Sequence, residues 1–122
     1  MKTLIFVGIG GAIGSILRYL TGIYFQKMDS GNFPLATFIA NAIGCLLIGL
    51  FMGYLTKNNL VDSQLKWFLV TGFCGGFTTF STFGYENIQL VQQQQYLLAL
   101  TYTLVSVCVG ITAVFLGLWF TR

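Results

Sequence analysis

The stretch from Gly72 to Gly84, which reads GFCGGFTTFSTFG, decides the fold because it places glycines and hydroxyl residues inside an apolar segment. Adjacent glycines weaken a helix. Four hydroxyl residues follow them within five positions, interleaved with phenylalanines. The surrounding segment runs from about Leu65 to Gln94, which is long enough to cross a bilayer. The sequence therefore predicts a membrane-spanning helix that is broken near the bilayer midplane.

The composition of the whole chain supports a membrane setting. Of its 122 residues, 56% are hydrophobic and 7% are charged, whereas a typical soluble domain is about 25% charged. So few charges could not cover the surface of a soluble protein, and so apolar a chain is not a disordered one. The charges are also scattered, so no basic patch exists that could bind nucleic acid. Composition therefore indicates an integral membrane protein.

Four apolar segments are each about as long as a membrane span, which needs about 20 residues. They run from about Thr3 to Phe25, Leu35 to Thr56, Leu65 to Gln94 and Tyr96 to Phe120. We expect residues 1–122 to form a single four-helix transmembrane domain, an all-α fold whose third helix is broken. The first segment continues past Arg18 without a small-residue cleavage site, which favours a retained span over a cleaved signal peptide.

Short polar connections separate the apolar segments and carry much of the charge. The first connection, Gln26 to Asn32, leads to Pro34, which stands where a helix start tolerates proline. The flanking charges favour an orientation with the N-terminus inside, because one side then carries four basic residues and the other carries Lys27. Those on the first side are Lys2, Lys57, Lys66 and Arg122. With so few charges, insertion in both directions is an open alternative.

Small residues recur at a spacing of four, in the pairs Gly10/Gly14, Ala40/Gly44, Gly49/Gly53 and Gly72/Gly76. In lipid this spacing lets helix backbones approach closely, so we expect most of these residues to serve helix packing. The cysteines also lie inside apolar segments and have no metal-ligand spacing, which indicates packing residues. They are Cys45, Cys74 and Cys108.

The predicted break suggests an ion site. Non-helical backbone at membrane depth survives only where protein or a water-filled path surrounds it. Freed carbonyls can coordinate a cation, while helix N-termini favour anions. The alternative is a packed helix whose hydroxyls bond back to their own backbone. Phe80 and Phe83 share a helix face, and such a pair usually serves packing. Their ring edges could support a small anion beside the hydroxyls of Thr79 and Ser81, whereas their ring faces would suit a cation.

Other polar residues at membrane depth have two interpretations each. Asn41 could form an interhelical hydrogen bond or donate into an ion path. Tyr102 and Ser106, four apart, would place two hydroxyls one above the other. Arg18 is either functional or reaches to the interface with its long side chain. Glu86 either faces a vestibule or ends a solvated helix.

The sequence offers little for catalysis. It contains no histidine and no paired carboxylates, so general acid–base chemistry has no candidate groups and an enzyme is not expected. Three functions stay open at this point: an ion channel, a small proton-coupled multidrug exporter, and a membrane scaffold that transports nothing. An exporter of that kind needs a membrane acid, and Glu86 is the only candidate in the sequence.

Three motifs resemble those of a known family. Gly10–Tyr19, GGAIGSILRY, resembles the motif GGxxGxxxRY of the CrcB/Fluc family of small bacterial fluoride channels. Asn41 with Gly44 resembles the second-helix motif of that family. Gly72–Phe83 resembles its GFCGGxTTFSTF stretch almost letter for letter. The resemblance covers the whole chain, including its length and its four predicted spans.

The resemblance implies an assembly and an activity. Members of the family form antiparallel, dual-topology homodimers in the bacterial plasma (inner) membrane, with two narrow pores. They export fluoride passively from the cytoplasm and so reduce fluoride toxicity. A structural sodium ion lies at the dimer interface and is not transported. If the chain is a member, its partners are fluoride, sodium, the lipid bilayer and a second copy of itself.

The resemblance also implies roles for individual residues. Asn41, Phe80 and Phe83 would line the pore, together with the hydroxyls of Thr79 and Ser81. A polar track on the fourth helix would continue through Tyr102 and Ser106; where some members have one more hydroxyl, this chain has Gly110. The backbone carbonyls of Gly75 and Thr78 would hold the sodium ion. Arg18 and Glu86 are candidates for a vestibule.

Overall fold

The computed structural model describes residues 1–28 and 31–122, and every regular element in them is a helix. We number the helices α1 Lys2–Gln26, α2 Leu35–Lys57, α3 Gln64–Phe77, α4 Phe80–Gln92 and α5 Tyr96–Phe120. Helix α3 is continuous but changes character, with a turn Gln64–Lys66, a wider π-helical stretch Trp67–Cys74 and a turn Gly75–Phe77. In the first polar connection, Asp29 and Ser30 lie outside the described residues.

These bounds confirm the predicted segments to within two residues at each end. Three of the helices in the described ranges, α1, α2 and α5, are long and apolar enough to cross a membrane. They have 25, 23 and 25 residues, and at about 1.5 Å per residue each exceeds the roughly 30 Å of a hydrocarbon core. Helix α2 begins directly after Pro34, whose carbonyl accepts from the Phe38 amide at 3.1 Å.

The break in the third segment redirects the chain. Helix α3 packs along α1, whereas α4 packs on α5, and α2 packs along α5. Between α3 and α4, Thr78 (φ −86°, ψ 156°) and Thr79 (φ −148°, ψ 122°) are extended. The break thus falls just after the glycine pair, since Gly75 (φ −62°, ψ −37°) is helical. A broken third helix is confirmed, and its two extended residues are threonines.

The glycine pairs allow the helices to touch backbone to backbone. A Cβ atom added at Gly14 of α1 would meet the Phe73 carbonyl of α3. One added at Gly76 of α3 would meet the Gly11 carbonyl of α1, and one at Gly49 of α2 would meet the Val114 carbonyl of α5. Side chains on these faces would separate the helices. The predicted packing role of the small residues is therefore confirmed at these contacts.

Two of the basic residues that the sequence assigns to one side of the membrane lie at the same end of the bundle. Lys57 Nζ, at the end of α2, donates to the Arg122 carbonyl at 3.4 Å. The C-terminus and the end of α2 therefore lie at the same end of the molecule. The opposite end, where α4 turns into α5, contains the buried cluster Leu90, Ala99 and Tyr102.

We predict that Gly14→Ala destabilises the protein by about 1–3 kcal/mol, because the added methyl group meets the backbone of α3 and neither helix can yield cheaply. Gly22→Ala on the same helix is the matched control, since nothing lies within 4 Å of its added Cβ. Unfolding of both variants in detergent, followed by circular dichroism, measures the difference. Equal stabilities would contradict the proposed close contact.

Candidate functional site

A cleft of about 410 Å³ opens at the break, between α2, α3, α4 and α5. It brings together most of the residues that the sequence singled out, although they come from four helices. Those that line it are Asn41, Gly75, Thr78, Thr79, Phe80, Phe83 and Ser106. The remaining candidates lie elsewhere: Ser81 and Tyr102 do not line the cleft, and neither do Arg18 and Glu86.

Asn41 holds the break in place. Its side-chain Oδ1 accepts a hydrogen bond from the Thr79 amide at 2.8 Å, and its Nδ2 donates to the Thr79 carbonyl at 3.1 Å. One side-chain amide thus satisfies both main-chain groups of an extended residue, much as a neighbouring strand would. Of the two interpretations of Asn41, the interhelical hydrogen bond is present. The same residue also borders the cleft.

Thr79 starts α4 with its own side chain. Its Oγ1 accepts from the Thr82 amide at 3.2 Å, which caps the helix. The same hydroxyl donates to Thr82 Oγ1 at 3.2 Å and lies 3.3 Å from Ser81 Oγ. Thr78, by contrast, bonds back to its own helix, because its Oγ1 donates to the Cys74 carbonyl at 2.8 Å. Back-bonding, the alternative interpretation of the hydroxyls, therefore occurs at Thr78, while the hydroxyl of Thr79 caps the next helix.

The break leaves two carbonyls of the cleft without their helical donors. In a continuous α-helix the amide of Thr79 would bond the Gly75 carbonyl, and the amide of Thr82 would bond the Thr78 carbonyl. Here the Thr79 amide donates to Asn41 Oδ1, and the Thr82 amide donates to Thr79 Oγ1. Gly75 and Thr78 both line the cleft. Unwound carbonyls of this kind are suitable ligands for a hard cation such as Na⁺.

The aromatic side of the cleft is formed by Phe80 and Phe83. Their ring centroids lie 5.9 Å apart with the planes tilted by 35°, so the predicted shared face is confirmed. Phe80 is 84% exposed. Phe83 packs inward against Tyr102, with centroids 5.0 Å apart. One ring is therefore fixed by its neighbours, and the other stands at the mouth of the cleft.

Tyr102 and Ser106 are not equivalent, although they are one turn apart. Ser106 lines the cleft, and its Oγ is buried with no hydrogen-bond partner in the described residues. Tyr102 is completely buried, and its hydroxyl donates to Glu86 Oε1 at 3.3 Å. Its ring also packs edge-on against Phe33 at 5.3 Å. Of the two hydroxyls expected to lie one above the other along a path, only that of Ser106 borders the cleft within one chain.

Arg18 borders a second, smaller cavity of about 170 Å³. Thr37 and Ala40 of α2 line it too, together with Thr79 and Thr82 at the break. The Arg18 Nε is buried and has no partner in the described residues. Thr79 lines both cavities. The second cavity therefore adjoins the cleft across a single residue.

Sequence reasoning missed part of the cleft. Cys45, Thr71 and Val107 also line it, but apolar residues and a lone threonine in a membrane helix carry no signal that separates them from packing residues. Gly110 lies against Cys45, since a Cβ there would be 3.4 Å from the Cys45 Sγ. The interpretation of the cysteines as packing residues is thus incomplete for Cys45 and Cys74, which both border the cleft.

These features define a multi-pass helical membrane protein whose polar groups converge on a broken helix, an arrangement found in proteins that bind or conduct ions. Comparison with known families identifies it more closely. A family model described as "CrcB-like protein, Camphor Resistance (CrcB)" matches residues 5–118. The chain therefore belongs to the CrcB family.

Curated relatives match almost the full length of the chain. A protein of Flavobacterium psychrophilum is 53% identical over 97% of this chain and 95% of its own length. A protein of Azobacteroides pseudotrichonymphae is 44% identical over 96% and 94%, respectively. A protein of Phocaeicola vulgatus is 43% identical over the full length of both chains. Each of these relatives is named "Fluoride-specific ion channel FluC".

We predict that Tyr102→Phe lowers the free energy of unfolding by about 1 kcal/mol, because it removes the hydrogen bond to Glu86 from a completely buried site. Tyr85→Phe is the control, since Tyr85 lies on the same helix as Glu86 but is 65% exposed. Thermal unfolding in detergent compares the two. A Tyr102→Phe variant as stable as the control would show that the hydroxyl contributes nothing.

Proposed function

We propose that this chain forms a fluoride-specific ion channel, which lets fluoride leave the cytoplasm of a bacterium passively and so reduces its toxicity. The observation that carries the proposal is the cleft at the break, where Asn41, Thr79 and Ser106 meet Phe80 and Phe83. Relatives of the chain that are named fluoride-specific channels support the choice of ion. The proposed setting is the plasma (inner) membrane.

The chemistry of the cleft suits passage of a small anion. No charged residue is among those that line it in the described part of the chain. Neutral donors can replace water around an ion without binding it so tightly that it cannot leave. The unpartnered hydroxyl of Ser106 is one such donor, and the ring edges of Phe80 and Phe83 carry partial positive charge. We propose that Ser81, whose Oγ lies 3.3 Å from Thr79 Oγ1, extends this path, and that buried Tyr102 supports it by packing against the Phe83 ring.

We propose that a second, antiparallel copy completes the site. Within one chain the cleft is open, since Phe80 is 84% exposed and Gly75 is exposed as well. Polar backbone at membrane depth must be covered by protein or water. Thr78 and Thr79 lie at the middle of the third segment, so inverted copies would place their breaks at the same depth. A homodimer of this kind would enclose the cleft and bury the exposed groups.

A structural sodium ion fits the interface of such a dimer. The carbonyls of Gly75 and Thr78 lack their helical donors and border the open cleft. Two copies related by symmetry would double this set of oxygen ligands. When bound, the ion supplies positive charge that offsets the carbonyl ends of both α3 helices.

Arg18 and Glu86 suit a vestibule beyond the cleft. The unpartnered Nε of Arg18 borders the second cavity, where its charge would attract an anion before it reaches Thr79. Glu86, at the middle of α4, accepts a hydrogen bond from Tyr102. No observation favours the proton-coupled exporter, and the relatives are named as channels, so we do not propose it.

The liposome flux assay tests the proposal. We expect purified protein in liposomes to release fluoride electrogenically, with chloride release below detection. Phe80→Ile should lower the fluoride flux by roughly tenfold or more, since losing about 1.4 kcal/mol of stabilisation slows passage by that factor.

Phe6→Ile is the matched control for that assay. Phe6 lies on α1, which contributes no residue to the cleft, so this variant should conduct as the unaltered protein does. The absence of fluoride flux, or chloride flux of equal size, would refute the channel. An unchanged rate in Phe80→Ile would remove that ring from the path.

Dual insertion gives a separate prediction. In a variant with its own cysteines replaced, Arg122→Cys should react with a membrane-impermeant thiol reagent in about half of the molecules in cells, because the charge bias between the two ends is small. The remainder should react only after the membrane is permeabilised. Labelling that is complete, or absent, before permeabilisation would show a single orientation and exclude the antiparallel dimer.

A further inference from the structure

We infer that Asn41 and Thr79 are positioning residues for the cation site. Their side chains accept hydrogen bonds from the two amides that would otherwise donate to the carbonyls of Gly75 and Thr78, so those carbonyls stay available. The inference deepens the proposed function and rests on it only through the sodium ion. It assigns Asn41 a second task, at the cation, in addition to its proposed place along the anion path. Neither residue contacts the cation in this account; each acts through the backbone.

The Asn41 part of the inference follows from one hydrogen bond. Its Oδ1 accepts from the Thr79 amide at 2.8 Å. Without that acceptor the amide would be left unpaired at membrane depth, which is costly. The acceptor that a rewound helix offers it is the Gly75 carbonyl, four residues earlier. Removing the Asn41 amide therefore favours a closed turn in which the Gly75 carbonyl is no longer available as a ligand.

The Thr79 part is parallel and uses its side chain. Its Oγ1 accepts from the Thr82 amide at 3.2 Å. If the hydroxyl is absent, that amide can return to the Thr78 carbonyl and extend α4 backwards by one residue. The main chain of Thr79 also makes both hydrogen bonds with Asn41: its amide donates to Oδ1, and its carbonyl accepts from Nδ2. One residue thus connects the two diversions, and the effects of changing Asn41 and Thr79 should not be additive.

The test measures sodium binding through stability, independently of flux. The full-length protein is purified in detergent without fluoride and with N-methylglucamine as the cation, and its melting temperature is followed as Na⁺ replaces it. A cation that binds only the folded protein stabilises it by RT ln(1 + [Na⁺]/Kd), so the dependence of the melting temperature on Na⁺ concentration gives the Kd. We expect this Kd for Na⁺ to rise roughly tenfold in Asn41→Ala and in Thr79→Val, the change expected when one hydrogen bond is redirected.

Two controls separate positioning from general damage. Thr79→Ser retains the hydroxyl that accepts from the Thr82 amide and should keep the Na⁺ dependence of the unaltered protein. Ser106→Ala removes a hydroxyl from the same cleft, but this hydroxyl holds no amide. It should leave the Kd for Na⁺ unchanged even if it lowers the fluoride flux.

The outcomes divide cleanly. An unaltered Kd for Na⁺ in Asn41→Ala and Thr79→Val would overturn the inference, since the carbonyls of Gly75 and Thr78 would then be available without these two hydrogen bonds. If the melting temperature of the unaltered protein does not change with Na⁺, the inference and the proposed sodium site are both wrong. The proposed fluoride channel is tested separately by the flux assay. If Asn41→Ala fails to fold, Thr79→Val decides alone, because it is isosteric and keeps both Asn41 bonds.

Discussion

The structure depends on the paired hydrogen bonds between the Asn41 side chain and the main chain of Thr79. An extended residue in the middle of a membrane segment has an amide and a carbonyl that lipid cannot satisfy, and one side-chain amide satisfies both. This contact fixes the point at which the third segment leaves α1 and turns toward α5. The cleft exists because these helices diverge there, so its walls come from four helices while its position is set by one residue pair.

The chain divides two tasks between neighbouring residue types. Glycines on α1 and α3 let the backbones touch, as at Gly14 and Gly76. This contact holds α3, the first part of the third segment, against α1. The threonines that follow then end the helix and begin the next one, since Thr79 caps α4 with its hydroxyl. A glycine pair by itself did not break the helix: Gly75 is helical, and the break requires the acceptors supplied by Asn41 and Thr79.

Length, hydropathy and turn residues were enough to predict the helices, because a span must bury its backbone bonds internally and can hardly be shorter than the bilayer. The glycine and hydroxyl pattern also predicted a break. Half of the residues that line the cleft were candidates, Gly75 and Thr78 among them only through the family resemblance. These sequence features could not predict the partner of Asn41, since this depends on how α2 packs against the break, nor the burial of Tyr102, whose hydroxyl is used by Glu86. Cys45 and Val107 escaped notice because apolar lining residues look the same in sequence as packing residues.

Thr79 is the common wall of the cleft and of the Arg18 cavity. A wall built from a side chain alone can swing aside by changing rotamer, but this one is fastened at its amide, at its carbonyl and at its hydroxyl. Moving this wall would mean breaking several hydrogen bonds at once. The wall is therefore stiff, and a path that ran past it would discriminate between solutes by size even where its chemistry would admit several.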